Sequence, residues 1–187
     1  MRKGDRRATL NAFLRPWVGS VVRHIPAYSP FDVLDFRFSG LSEDNRWNRS
    51  GERTLYMANQ TKVAVTEFGR RMKERLPVLT PMTHERAFFQ LHVGLQALFD
   101  LRDPALCQFL SLRDAPACFS DKEVARSIAG FIRRTTQAQA IQVPSMGFPD
   151  DVENHWNLVL FLEKLPDDPQ RFIKEVTLVG RFHVEWL

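Results

Sequence analysis

The chain has 187 residues, of which 44% are hydrophobic and 26% charged, with 26 Lys and Arg against 22 Asp and Glu. That is the composition of one ordinary globular domain able to bury a core without staples. No apolar run approaches the ~18 residues needed to span a bilayer, and the small basic excess does not by itself make the chain a nucleic-acid binder.

The opening residues, MRKGDRRATLNAF, carry a basic cluster (Arg2, Lys3, Arg6, Arg7) and no apolar signal core, so the bacterial cytoplasm is the expected location. Arg6 to Leu14 suits a short helix, with Leu10, Phe13 and Leu14 on one face and Pro16 ending it. Val18 to Ile25 is apolar and β-branched, a buried strand that delivers Arg23 near its end. Pro26 to Arg53 is rich in Pro, Gly, Ser, Asn and Asp with aromatics between, the composition of a long ordered loop that carries function.

Thr54 to Ala58 reads as a strand. Thr61 to Leu76 reads as a helix, because Ala64, Phe68, Met72 and Leu76 step along one face, and Pro77 and Pro81 stop it. A second basic group (Arg70, Arg71, Lys73, Arg75) fits a solvated helix face or a phosphate-bearing partner. Phe89, Leu91, Val93, Leu95 and Ala97 alternate with Gln90, His92, Gly94 and Gln96, the period of a half-buried strand. Asp103-Pro104 opens a short helix through Leu110. Ser120 with Glu123 forms a capping box for a helix running to Arg134. Ala140 to Val143 is a strand that delivers Ser145, and Asn157 to Leu162 is another. The tail from Lys174 to Trp186 alternates Val176, Leu178, Phe182, Val184 and Trp186 and closes or edges the sheet. Strands and helices interleave without βαβ spacing, so the expected fold is a single mixed α+β domain.

Glu67 is the residue most out of pattern, since it follows Val63, Ala64 and Val65 and precedes Phe68, where a charge is costly unless paired or functional. The pattern leaves open a surface pair with Arg71 at i,i+4. Tyr56 lies across a strand–turn–helix step that can bring it to the same cleft. Arg46, beside Trp47 and Asn48, sits in a turn-rich loop where a guanidinium fork can meet a phosphate, and Arg23 is placed to act deep in a pocket. Ser145 lacks a Gly-x-Ser-x-Gly elbow, and His84 and His155 give no triad signal, so Ser145 suits hydrogen bonding better than nucleophilic attack. Asn154, Trp156 and Asn157 add polar and stacking groups, or simply cap the strand that follows. Cys107 and Cys118 lack CxxC spacing and read as reduced, small apolar residues. The histidines show no ligand spacing, so no metal is implied.

Val22-Arg23-His24, Arg46-Trp47-Asn48, Thr66-Glu67-Phe68-Gly69-Arg70 and Val143-Pro144-Ser145, taken in that order, resemble the RES domain, named for an arginine, a glutamate and a serine. The resemblance runs from about Val22 to about Leu162 and divides the chain into an N-terminal extension, 1–17, and a RES domain, 18–187. It places the family arginine on Arg23, the glutamate on Glu67 and the serine on Ser145, with Arg46, Tyr56, Asn48 and Asn157 as further ligand-binding positions. Two departures stand out: the usual Gly-Gly before Arg-Trp-Asn is Asp44-Asn45 here, and added elements lie around Phe99 to Asp121.

The resemblance implies a central sheet similar to that of ADP-ribosyltransferases, flanked by helices. It also implies an NAD⁺-degrading toxin that cleaves the nicotinamide–ribose bond by hydrolysis or phosphorolysis, with NAD⁺ as substrate and no separate cofactor. A protein ADP-ribosyltransferase and a non-catalytic nucleotide-binding module remain open. The partners it implies are an Xre-type helix-turn-helix antitoxin and a second copy of the chain, with neither direct nucleic-acid nor membrane binding.

Overall fold

A computed structural model describes residues 8–40, 45–75 and 82–186. Arg2, Lys3, Arg6, Arg7, Asp44, Leu76, Pro77 and Pro81, on which several of the expectations above rest, lie outside the described residues. The strands are β1 (Arg15–Pro26), β2 (Thr54–Ala58), β3 (Met82–Asp100), β4 (Ala140–Pro144), β5 (Trp156–Phe161) and β6 (Ile173–Trp186). The helices are α1 (Thr61–Arg75), α2 (Pro104–Phe109) and α3 (Lys122–Thr135). The mixed α+β class expected from the sequence is the observed one.

The strands pair in the order β1-β2-β5-β4-β3-β6, and β1 also pairs with β3. Five of the six strands therefore close on themselves, a device that removes sheet edges. β3 makes closure possible because it is 19 residues long. One side of it pairs with β1 from Leu98 back to Arg86, while the other serves β6 over Met82–Val93 and then β4 over Leu98–Asp100. The alternation at Leu91, Val93 and Leu95 is real, and all three are buried. Their face joins Val21, Leu55, Met57, Leu158 and Leu160 inside the barrel.

Two further clusters attach the helices. Ala125, Ala129 and Ile132 of α3 pack with Phe119, Trp47 and the outward residues Ile141, Val143, Val159 and Phe161 of β4 and β5. Val63 and Ala64 of α1 pack on Val22, Ala58, Phe88 and Val184. The N-terminal segment has a helical turn at 8–11, and Leu10 is buried against the α3 side.

Two local expectations change. The N-cap of α3 is Asp121 rather than Ser120: its carboxylate accepts from the amides of Glu123 and Val124. Ser120 instead ends a 3₁₀ turn over Ala117–Ser120, and Glu123 pairs with Arg49 and Arg126 rather than reaching back to the cap. An aspartate caps as well as a serine, so the preceding turn decided the position. Between Pro26 and Thr54 the described residues form turns without helix or strand, as the composition of that segment implied. Gly40 there has φ +91°, and an added Cβ would meet the Glu52 carbonyl at 2.3 Å.

Candidate functional site

Glu67 lies at the middle of α1, on the side that faces the ends of β4 and β5. One oxygen, Oε1, accepts from Ser145 Oγ at 2.7 Å, the Gly147 amide at 3.3 Å and Asn157 Nδ2 at 3.4 Å. The other, Oε2, accepts from Arg70 Nη2 at 2.8 Å and Nε at 3.2 Å. Burial pushes this carboxyl up. Arg70 beside it, the Ser145 hydroxyl and the Gly147 amide more than offset that, so Glu67 sits below the usual carboxylate range. Arg70, one residue before the Arg71 that the pattern offered, pairs with Glu67, and the Glu67 side chain is only 21% exposed.

The support for this carboxylate is local and specific. Ser145 is fully buried at the end of β4, where its hydroxyl faces Glu67 and also accepts from the Gly147 amide at 3.2 Å. That arrangement makes it a positioning residue rather than a nucleophile. A Cβ at Gly147 would lie 2.5 Å from Thr66 Cγ2, so any larger residue there would make the Thr66 side chain shift. Asn157, the second residue of β5, lies opposite Val143. Asn154 and Trp156 do other work: the Asn154 carbonyl ties Asn59 and Gln60, and Trp156 packs against Trp17 and Arg102.

A cavity of about 520 Å³ opens beside Glu67 and falls in the range of small-molecule sites. Six cationic side chains line it (Arg23, Arg46, Arg70, Arg71, Arg86 and Lys122) against three carboxylates, Asp35, Glu67 and Glu74. Glu74 is itself held by Arg70 and Lys122. The cavity is therefore an electropositive pocket containing one carboxylate oriented by neutral donors. Half of the basic group on α1 thus turns inward, with Arg70 and Arg71 both lining the cavity.

The sequence-predicted residues converge unevenly. Arg23, Arg46, Tyr56, Glu67 and Asn157 all line the cavity. Arg23 stacks 5.0 Å over Phe36 and donates through Nη1 to the Val33 carbonyl, and burial lowers its pKa to about 10. Arg46 donates from Nη1 to the Phe119 and Ser120 carbonyls at 2.7 Å each, which fastens its loop to the added elements between Phe99 and Asp121. Tyr56 donates to Asn48 Oδ1 at 2.8 Å and accepts from the Trp47 amide at 3.0 Å, and burial raises its phenol well above the ordinary value. Asn48 is fully buried behind it, so Asn48 sets the position of Tyr56.

Three residues of the site went unassigned in the sequence. Arg70 was readable as the i+3 neighbour of Glu67. His24 and Arg86 were not, because the strand register joins them: Arg86 Nε donates to His24 Nδ1 at 3.0 Å. The His24 ring sits between Phe68 and Phe88, at 5.0 and 5.2 Å. Burial, with Arg86, Arg23 and Arg71 nearby, lowers its pKa to about 3, so it is neutral. It then carries its proton on Nε2. Both cysteines are free thiols, and burial raises Cys107 to about 11. Among the described residues, no three His, Cys, Asp or Glu converge in a metal-binding arrangement, and no helix is long and apolar enough to cross a membrane.

The family model described as the RES domain matches residues 21–182. The chain belongs to the RES family. The match extends past Leu162 into β6, further than the sequence motifs alone reached. No curated protein matches this RES chain in sequence. Its fold is similar to that of a chain in the crystal structure of the M. tuberculosis MbcT–MbcA toxin–antitoxin complex, with a TM-score of 0.61 and 15% identity over 96% of this chain and 93% of that one. At that identity the likeness is one of fold. In this RES domain Arg23, Glu67 and Ser145, the three residues expected from the family name, stand on β1, on α1 and just beyond β4.

Proposed function

We propose that this RES protein is a toxin that degrades NAD⁺ by cleaving the nicotinamide–ribose bond, with water or phosphate as acceptor. The observation that carries the reading is Glu67, an ionised carboxylate fixed by Ser145, Gly147, Asn157 and Arg70 at the wall of an arginine-rich cavity.

The chemistry asks for that arrangement. Glycoside hydrolysis ordinarily needs two carboxyl groups, one to protonate the leaving group. In NAD⁺ the leaving nitrogen is already a cationic pyridinium. The C–N electron pair departs with it and nicotinamide leaves neutral, so no acid is required. What remains is the oxocarbenium charge on the ribose, which a fixed carboxylate stabilises. The acceptor oxygen then bonds to C1 and, when it is water, its proton passes to solvent. The cavity arginines match the pyrophosphate by charge and fork geometry. Tyr56, anchored by its hydroxyl, offers its ring to the nicotinamide or ribose, while Ser145 and Asn48 act through Glu67 and Tyr56. The scheme uses no metal.

The toxin reading also proposes a helix-turn-helix antitoxin of the Xre type, supported by family membership and by a solved relative that sits in a toxin–antitoxin complex. It places the protein in the bacterial cytoplasm. A second copy is proposed as a further partner: β6 ends the strand order, and residues 174–179 are exposed on both of its faces.

Labelled NAD⁺ incubated with purified protein, with and without phosphate, tests the reaction. ADP-ribose marks a hydrolase, ADP-ribose-1″-phosphate appearing only with phosphate marks a phosphorylase, and label on protein marks a transferase. Unchanged NAD⁺ at high enzyme concentration contradicts the proposal.

A further inference from the structure

The rim of the cavity carries aromatic surface that the reaction scheme leaves unused. Phe38 lines the cavity and is 57% exposed; Phe31 beside it is 42% exposed. Their rings stand 5.2 Å apart, tilted by 57°. The Arg37 guanidinium lies over both, 5.6 Å from Phe31 and 5.9 Å from Phe38. Asp35 holds Arg37 in place, accepting from Nε at 2.9 Å and from Nη2 at 2.6 Å. The two exposed rings give apolar surface that a ligand in the cavity can cover.

The surroundings narrow the occupant. Phe38 lines the same cavity as Glu67 and its arginines, so a ligand long enough to fill the cavity from Glu67 meets its ring. The pair's one cation is neutralised by Asp35, so the platform itself is apolar and suits an uncharged flat ring rather than an acidic peptide. Bases stack on such aromatic side chains without needing edge-specific hydrogen bonds, and a guanidinium over the rings holds them in place.

We infer that Phe38, backed by Phe31 and Arg37, is the stacking platform for the adenine half of the dinucleotide. This rests on the NAD⁺ reading and adds the far end of the substrate to it. One end of the molecule is held at Glu67, the pyrophosphate by the arginines, and the adenine at the rim.

The test is AMP binding by calorimetry to the whole protein as wild type, Phe38→Ala and Phe38→Tyr, alongside the KM for NAD⁺ of each. AMP carries adenine and one phosphate but no bond for the enzyme to cleave. The expected result is AMP binding weakened about tenfold or more in Phe38→Ala and restored by Phe38→Tyr. KM for NAD⁺ rises by a similar factor, and kcat moves less. Equal AMP affinity in wild type and Phe38→Ala, or no AMP binding at millimolar concentration, overturns the inference. The two readings fail separately. Absent NAD⁺ turnover with Phe38-dependent AMP binding removes the degradation reading and keeps the platform; normal turnover with Phe38→Ala indistinguishable from wild type removes the platform alone.

Discussion

Arg70 does two jobs at once on α1, bridging Glu67 and Glu74, and the pH behaviour of the site follows from it. With Arg70 present, the Glu67 carboxyl titrates below its usual range. The acid limb of activity therefore lies at or below ordinary carboxylate values, and acidification to pH 5 leaves Glu67 ionised. The Arg70→Met change removes the positive charge that does most to hold this carboxyl ionised, while burial, which pushes its pKa up, remains. Its acid limb should move to higher pH in a pH–rate profile, and an unmoved limb would show that Arg70 does not set the charge of Glu67. The same sign applies to stability: the contribution of Glu67 is present above its unfolded pKa and is lost as pH falls through the lower folded value. Ser145→Ala removes the 2.7 Å hydrogen bond and should cut NAD⁺ turnover about tenfold with KM nearly fixed, a split that steady-state kinetics reads directly. His24 stays neutral at any working pH because its pKa is about 3, so His24 should contribute no limb near 6.5 to the pH–rate profile. Among single residues Glu67 was legible, as a carboxylate in an apolar run. Arg70 was readable as its i+3 neighbour, but not as the choice over Arg71, because helix geometry allows i+3 and i+4 alike.

The elements were mostly legible, and where they were not the cause is long-range pairing. β2 agrees to the residue with its apolar run, and α1 ends where the charged residues Lys73, Glu74 and Arg75 accumulate. β3 is much longer than its clean alternation because β1 and β6 hold both of its edges, and a pattern within one strand does not reveal the partners that extend it. The elements around Phe99 to Asp121 read as an addition that bears on ligand choice or partner binding. In the fold they make α2 and the 3₁₀ turn whose carbonyls bind Arg46, so the addition anchors the loop carrying Arg46-Trp47-Asn48. The α3 cap gives a measurable consequence. Asp121→Ala should lower stability in urea by about 1 kcal/mol, whereas Ser120→Ala, which removes no cap, should change it by less than about 0.5 kcal/mol. Equal effects would return the cap to Ser120.

Across the molecule, barrel closure brings residues distant in sequence to one wall: Arg23 from β1, Tyr56 from β2, Glu67 from α1 and Asn157 from β5. Closure leaves β6 as the exposed edge. It shows Val176, Leu178, Val179 and Phe182 to solvent, and edges of that kind pair with another chain unless blocked. The proposed homodimer through β6 predicts that Leu178→Lys with Val179→Lys shifts the protein to monomer in analytical ultracentrifugation while leaving it folded. A wild-type monomer at high concentration would contradict that dimer.

The whole reaction scheme turns on Glu67 acting at the nicotinamide–ribose bond. The decisive experiment is nicotinamide release from NAD⁺ by wild-type and Glu67→Gln protein, with folding checked by circular dichroism. Release by the wild type and a loss of about 100-fold or more in the variant are expected. A folded Glu67→Gln protein that releases nicotinamide at the wild-type rate would remove Glu67 from the mechanism.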